Sequence, residues 1–142
     1  MHCITTVTLV SAVVLPAALR VAERPDVRVI PLRLACCAVE LDAAQAAGLL
    51  VPEGPGHGPV TATIVVVAGT VTGPMAPVLR AAGASAAAVV AFGACASTGG
   101  PYWDAPSVIN GADTVVPVTQ YVPGCPPRPS DLIHAVLEAV PA

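Results

Sequence analysis

The sequence predicts an α/β fold, a single domain with an open, mostly parallel sheet flanked by helices and a site at the carboxyl ends of its strands. Three observations carry that prediction. Ile64-Val65-Val66-Val67-Ala68 is an unbroken, β-branched-rich run that stops at Gly69, the pattern of a strand buried on both faces, as in parallel sheets. Ala87 to Phe92 repeats the pattern and stops at Gly93. Beyond Ser130, the residues Leu132, Ile133, Val136, Leu137 and Val140 form one apolar stripe at helical spacing.

In chain order, residues 1–26 form an apolar N-terminal segment of open role, and residues 27–142 form the domain. The run from Ile4 to Leu19 carries threonines, Ser11 and Pro16, has no Lys or Arg before it, and falls short of the roughly 20 residues a spanning helix needs. It reads as a segment that docks on the domain or a neighbour. Val27 to Leu34 is the first strand of the domain, directly ahead of a pair of cysteines. After the Ile64–Ala68 strand, Met75 to Ala82 has helical composition and Gly83 is placed to end it. Val115 to Val118 reads as another strand. In the last helix Ser130 is the expected cap and Asp131 favours the first turn. Strands alternating with helices imply right-handed βαβ crossovers, and hence an open sheet of the flavodoxin-like kind.

Composition narrows the function. Of 142 residues 55% are hydrophobic and only 11% charged, too little charge to coat an isolated globule, so partner subunits are expected to cover much of the surface. A net charge of −3 gives no basic footprint and excludes nucleic acid as a partner. Five cysteines cannot all pair in internal disulfides, which points to a reducing compartment.

Four of the cysteines fall in loops that the fold brings together. Cys36 and Cys37 follow the first strand, Cys95 follows the Ala87–Phe92 strand, and Cys125 comes after the Val115–Val118 run. Four thiolates suffice for one iron–sulfur cluster. Vicinal cysteines on an extended strand would face opposite ways, so service at one centre requires a turned backbone between Cys36 and Cys37. Glycine in Gly93-Ala94-Cys95-Ala96 lets backbone approach sulfur closely, and the prolines of Pro123-Gly124-Cys125-Pro126-Pro127 stiffen the last bend. Burial of each cysteine as a small hydrophobe is the bland alternative. The closely spaced C-x₂₋₄-C pairs of structural zinc sites and the C-x-x-C of dithiol enzymes are absent.

Other candidates are weaker. Cys3 lies apart and reads as a non-ligand; His2, His57 and His134 read as surface or structural residues. Glu40 reads either as a carboxylate that couples proton to electron movement or as an ordinary helix-start acid. Tyr102 and Trp103 are suited to pack against a neighbour.

The ordered motifs Ala35-Cys36-Cys37-Ala38-Val39-Glu40, Val67-Ala68-Gly69-Thr70-Val71-Thr72 with Met75-Ala76-Pro77-Val78-Leu79-Arg80, Gly93-Ala94-Cys95-Ala96 and Tyr121-Val122-Pro123-Gly124-Cys125-Pro126-Pro127 resemble the 20 kDa (PSST, B-type) subunit family of NADH-quinone oxidoreductase, respiratory complex I. The resemblance runs from about Val29 to Val140. It implies that Cys36, Cys37, Cys95 and Cys125 ligate one 4Fe-4S cluster that passes electrons to quinone, with Thr70, Thr72 and Met75 near the quinone. It further implies a peripheral place on the cytoplasmic face of the cell membrane, between a large hydrogenase-like (49 kDa type) subunit, a ferredoxin-like iron–sulfur subunit and the membrane arm. The related small subunit of an energy-converting hydrogenase and a cluster-free structural paralogue are the alternatives. Hydrogenase relatives separate their first two ligand cysteines, so the vicinal pair favours the complex I branch. The stretch between Glu40 and Ile64 is shorter than in the family, and Pro59-Val60-Thr61-Ala62-Thr63 stands where a basic segment is expected.

Overall fold

The computed structural model describes residues 9–10 and 13–142, with side chains from Leu15 onward. Cys3, His2 and the first part of the Ile4–Leu19 run lie outside the described residues. Strands β1 (Leu9–Val10) and β2 (Val13–Val14) form a small antiparallel pair. The domain is built on a six-stranded sheet made of β3 (Leu19–Val21), β4 (Val27–Arg33), β5 (Leu50–Pro52), β6 (Ala62–Ala68), β7 (Ala88–Phe92) and β8 (Gln120–Val122). Their order is β5-β3-β4-β6-β7-β8. Strands β4, β6, β7 and β8 run parallel, and β3 is antiparallel to both β4 and β5. The sheet thus takes in Leu19–Val21, ahead of the 27–142 span assigned to the domain from the sequence. A short turn between β3 and β4 returns the chain beside itself, and Leu19 and Val21 are buried there.

Strand β6 sits in the middle, which explains its composition. Ile64, Val66 and Ala68 face one core with helices α1 (Cys37–Ala46) and α4 (Pro129–Ala139), where Leu41, Leu132 and Val136 pack. Val65 and Val67 face a second core with helix α2 (Ala76–Ala84), where Leu79 and Ala82 pack. Burial on both faces removes the polar alternation of a one-sided strand, so the run reads as continuously apolar. Among the described residues no helix is long and apolar enough to cross a membrane.

Three local expectations are corrected. Gly83 does not end its helix, since α2 continues to Ala84; a Cβ on Gly83 would come 3.0 Å from Val116 Cγ1, so the bare position serves close packing. Val115–Val118 is not a strand. Val115 and Val116 N–H both donate to the Ala112 carbonyl in a tight turn, Pro117 offers no ladder donor, and the edge strand begins only at Gln120. Ser130 is not the cap of α4. Arg128 is, with Pro129 in the first helical position, and Asp131 Oδ2 accepts the Arg128 backbone N–H at 3.1 Å.

A buried arginine organises the glycine- and proline-rich stretch before β6. Arg20, 3% exposed, donates to Glu53 Oε1 at 2.6 Å and to the carbonyls of Pro25, His57 and Gly58. Arg28 donates to the same Glu53 oxygen at 2.8 Å. One side chain therefore satisfies three loop carbonyls and pins the 53–58 loop to strand β3 and the turn that follows it.

Candidate functional site

Parallel strands β4, β6, β7 and β8 all end on one side of the sheet, and the four cysteines follow three of those ends. Between Cys36 and Cys37 the chain turns from strand to helix: Cys36 has helical backbone angles as the cap of α1, and Cys37 begins that helix. The turn meets the requirement that vicinal cysteines serve one centre. It is braced by Leu34 N–H and Ala35 N–H, which both donate to the Ala68 carbonyl at the end of β6. Gly69, at φ +124°, makes this possible, because a Cβ there would overlap the Ala35 backbone.

Cys95 lies in the short helix α3 (Ala94–Thr98) directly after β7. The turn leading to it is tied to the Cys125 loop: Gly93 N–H donates to Val122 O at 2.8 Å and Ala94 N–H to Gly124 O at 2.9 Å. Gly93 is at φ +100°, and a Cβ on it would run into Cys37 Sγ. The Cys37 sulfur therefore occupies the space left at Gly93, beside the Gly124 carbonyl and Pro127, each 3.6 Å from that Cβ position. Cys37 and Cys95 are buried, while Cys36 and Cys125 are exposed.

Electrostatics join the four. The Cys37 thiol is pushed up to about 12, first by burial and then by the neighbouring sulfurs of Cys36, Cys95 and Cys125. Each opposes ionisation for the same reason, since a thiolate there is poorly solvated and repelled by its neighbours. A cationic centre beside Cys37 would supply the missing charge and favour its thiolate. The donor chemistry, four soft thiols with a glycine clearing space at the innermost one, fits a thiolate-held iron–sulfur group. Among the described residues no three His, Cys, Asp or Glu side chains form a group that could hold a metal ion. Thiols arranged around a bulkier group need not converge as closely as around a single ion.

The other residues singled out from the sequence are distributed around this end. The loop with Thr70, Thr72 and Met75 follows β6, so it opens at the same side of the sheet as the cysteines. All three are half-buried. Glu40 stands in the first turn of α1, where an acid suits the helix dipole. The two described histidines are elsewhere: His57 Nδ1 lies 2.9 Å from Gly54 N, and His134 Nε2 lies 3.2 Å from Glu138 Oε1. Tyr102 and Trp103 are exposed, Trp103 by 62%. Sequence reasoning missed the packing of Gly93 on Cys37 Sγ and of Gly100 on Cys95, because the clashes cross separate segments.

The family model described as NADH ubiquinone oxidoreductase, 20 Kd subunit, matches residues 23–139. The chain belongs to this family. Among members of the 20 kDa subunit family, the B 1 component of NADH-quinone oxidoreductase from Salinispora tropica is 44% identical over 113 residues, covering 73% of this chain and 59% of that protein. The B 2 component from Streptomyces griseus is 44% identical over 114 residues, covering 74% and 48%. The corresponding component from Clostridium beijerinckii is 43% identical over 111 residues, covering 73% and 66%. The chain thus spans about half to two thirds of the length of these relatives. A solved structure of the membrane-bound sulfane sulfur reductase (MBS), an archaeal respiratory membrane complex, superposes with a TM-score of 0.57 at 23% identity, over 75% of this chain and 63% of that one. That likeness is one of fold.

Proposed function

We propose that this 20 kDa-type chain is the electron-transfer subunit of a complex I-like NADH-quinone oxidoreductase, with one 4Fe-4S cluster held by Cys36, Cys37, Cys95 and Cys125. The observation that supports the proposal most is that the sulfurs of Cys36, Cys95 and Cys125, from three strand ends, all act electrostatically on the buried Cys37. When bound, the group supplies reversible one-electron transfer. The chain supplies the rest. Cys37 and Cys95 hold the inner side in a dry environment, Cys36 and Cys125 close the outer side, and Gly93 keeps the inner space clear.

The Thr70–Met75 loop, with Thr70, Thr72 and Met75 half-buried at the same end of the sheet, is the stretch of this chain that faces quinone in the proposal. Glu40 is the acid available to couple a proton to the electron. Partners are a large 49 kDa-type subunit, a ferredoxin-like iron–sulfur subunit and membrane-arm subunits, with the chain peripheral on the cytoplasmic face of the membrane. Support for partner coverage comes from the low charge content, 11%, and from Val39, Tyr102 and Trp103 standing exposed near the cysteine segments.

Anaerobic co-purification with partner subunits should yield about four irons per chain, matching acid-labile sulfide and a reducible low-temperature EPR signal. Cys125→Ala should abolish that signal, and Cys3→Ala should leave it intact. A folded wild-type complex without iron, or equal behaviour of the two variants, would overturn the ligand assignment.

A further inference from the structure

The backbone that closes over Cys95 is an unusual one. After α3 the chain passes through Gly99 at φ +92°, Gly100 at φ +53° and Asp104 at φ +64°. Asp104 is not a glycine but is among the residues that adopt the left-handed region most readily, so a hydrogen bond at its N–H suffices to fix it there. Gly100 is the residue in contact with the cysteine: a Cβ on it would lie 3.2 Å from Cys95 Sγ and 3.1 Å from Cys95 N. This turn is one wall of the Cys95 thiol, which is only 2% exposed.

Two side chains outside the turn bond its backbone: Thr98 Oγ1, next to it in sequence, accepts the Gly100 N–H at 3.4 Å, and Asn110 reaches it from a separate segment. Asn110 Oδ1 accepts the backbone N–H of Asp104 at 2.9 Å, and a Cβ on Gly99 would come 3.2 Å from the same oxygen. Asn110 itself is anchored on both sides. Its neighbour Gly111 packs so tightly on α3 that a Cβ there would stand 2.5 Å from the Ser97 carbonyl oxygen. Its other neighbour, Ile109, donates its N–H to Val71 O at 2.8 Å, in the loop that carries Thr70 and Thr72.

We infer that Asn110 is a positioning residue for Cys95, its amide oxygen holding the Gly99–Asp104 turn against the thiol. The inference rests on the reading of Cys95 as a cluster ligand for its functional meaning, whereas its test does not require the cluster. The turn keeps its own backbone bonds, Tyr102 N–H to Gly99 O and Trp103 N–H to Gly100 O, both at 3.1 Å, and the single neutral side-chain bond from Asn110 adds about 1 kcal/mol to them. Removing it should therefore open the wall over Cys95 without unfolding the sheet.

The test is site-resolved alkylation by iodoacetamide of the full chain freed of iron by chelation, with wild type, Asn110→Ala and Asn110→Asp compared. Cys37, equally buried but walled by Gly93, is the internal reference. The expected result is Cys95 alkylation about fivefold faster in Asn110→Ala, an unchanged Cys37 rate, and a return toward the wild-type rate in Asn110→Asp, which keeps the acceptor. Asn110→Ser, which shortens the acceptor, replaces the alanine variant if that chain does not fold. A Cys95 rate equal to wild type, or parallel acceleration of Cys37, would overturn the inference. Iron assayed on the same proteins before chelation separates the two readings: an iron-free wild type sinks the cluster proposal alone, and the alkylation comparison still decides the role of Asn110.

Discussion

Gly93→Ala should leave the protein without bound iron while Gly83→Ala, at the opposite end of the sheet, leaves iron content near wild type. Two effects act together at position 93. Its backbone, φ +100° and ψ 167°, lies in a region that is essentially glycine-only, and placing another residue there costs about 1–3 kcal/mol. The added methyl would also run into Cys37 Sγ. Because Gly93 N–H is held by Val122 O and Ala94 N–H by Gly124 O, the turn cannot swing away without releasing the Cys125 loop. Relief comes most directly by displacing the Cys37 side chain, which shifts one of the four thiols away from the other three. Iron and sulfide content measured beside a circular-dichroism melt distinguishes this from unfolding: iron is lost while the melt falls by only the few degrees that such strain implies. Full iron in a Gly93→Ala chain would show that Cys37 does not belong to the site.

Arg20→Ala should destabilise the chain by about 1–3 kcal/mol, measured by urea unfolding, because it removes a buried guanidinium that bonds Glu53 and leaves polar groups without their donor. Three carbonyls, of Pro25, His57 and Gly58, lose their donor at the same time. Arg28 remains on Glu53 and limits the loss. The same network predicts an acid limb. Burial opposes the charge on Glu53, but the hydrogen bonds from Arg28 and Arg20, with their positive charge, outweigh it, so the carboxyl titrates below its ordinary range. A carboxylate whose folded pKa lies below its unfolded value contributes stability that is fully present above the unfolded value, about 4.3. That contribution is lost as the pH falls through the folded value. Wild type should therefore lose stability on acidification below about pH 4.3, and Glu53→Gln should be flatter over that range. An equally steep acid limb in Glu53→Gln would place the titrating group elsewhere.

How much of this was legible varies with the range of the interaction. The Ile64–Ala68 and Ala87–Phe92 runs announce buried parallel strands because burial on both faces demands apolar residues at every position, a local signature. The final helix is readable for the same reason, in its stripe of Leu132, Ile133 and Val136. Val115–Val118 misled because its valines are apolar for a different purpose. Val116 packs beside Gly83 in the second core, and Pro117 blocks the ladder. Composition cannot tell a side chain that packs from a turn from one that packs from a strand. The start of the sheet was equally hidden, since Leu19–Val21 is only three residues long and is defined by its antiparallel partners β4 and β5.

The sequence by itself determined the fold class, the family and the four cysteines proposed as ligands, because each is carried by residue types whose chemistry or hydrophobicity is visible one segment at a time. Only the tertiary structure decided that Cys36 caps a helix that Cys37 begins, and that Gly93 makes room for Cys37 Sγ. It alone linked Arg20 to loops more than thirty residues away and set Asn110 on the turn over Cys95. These are contacts between backbone and side chains brought together by the sheet. No local pattern encodes them, because the partner of each lies on a different strand end and the distance between them exists only once the strands have paired.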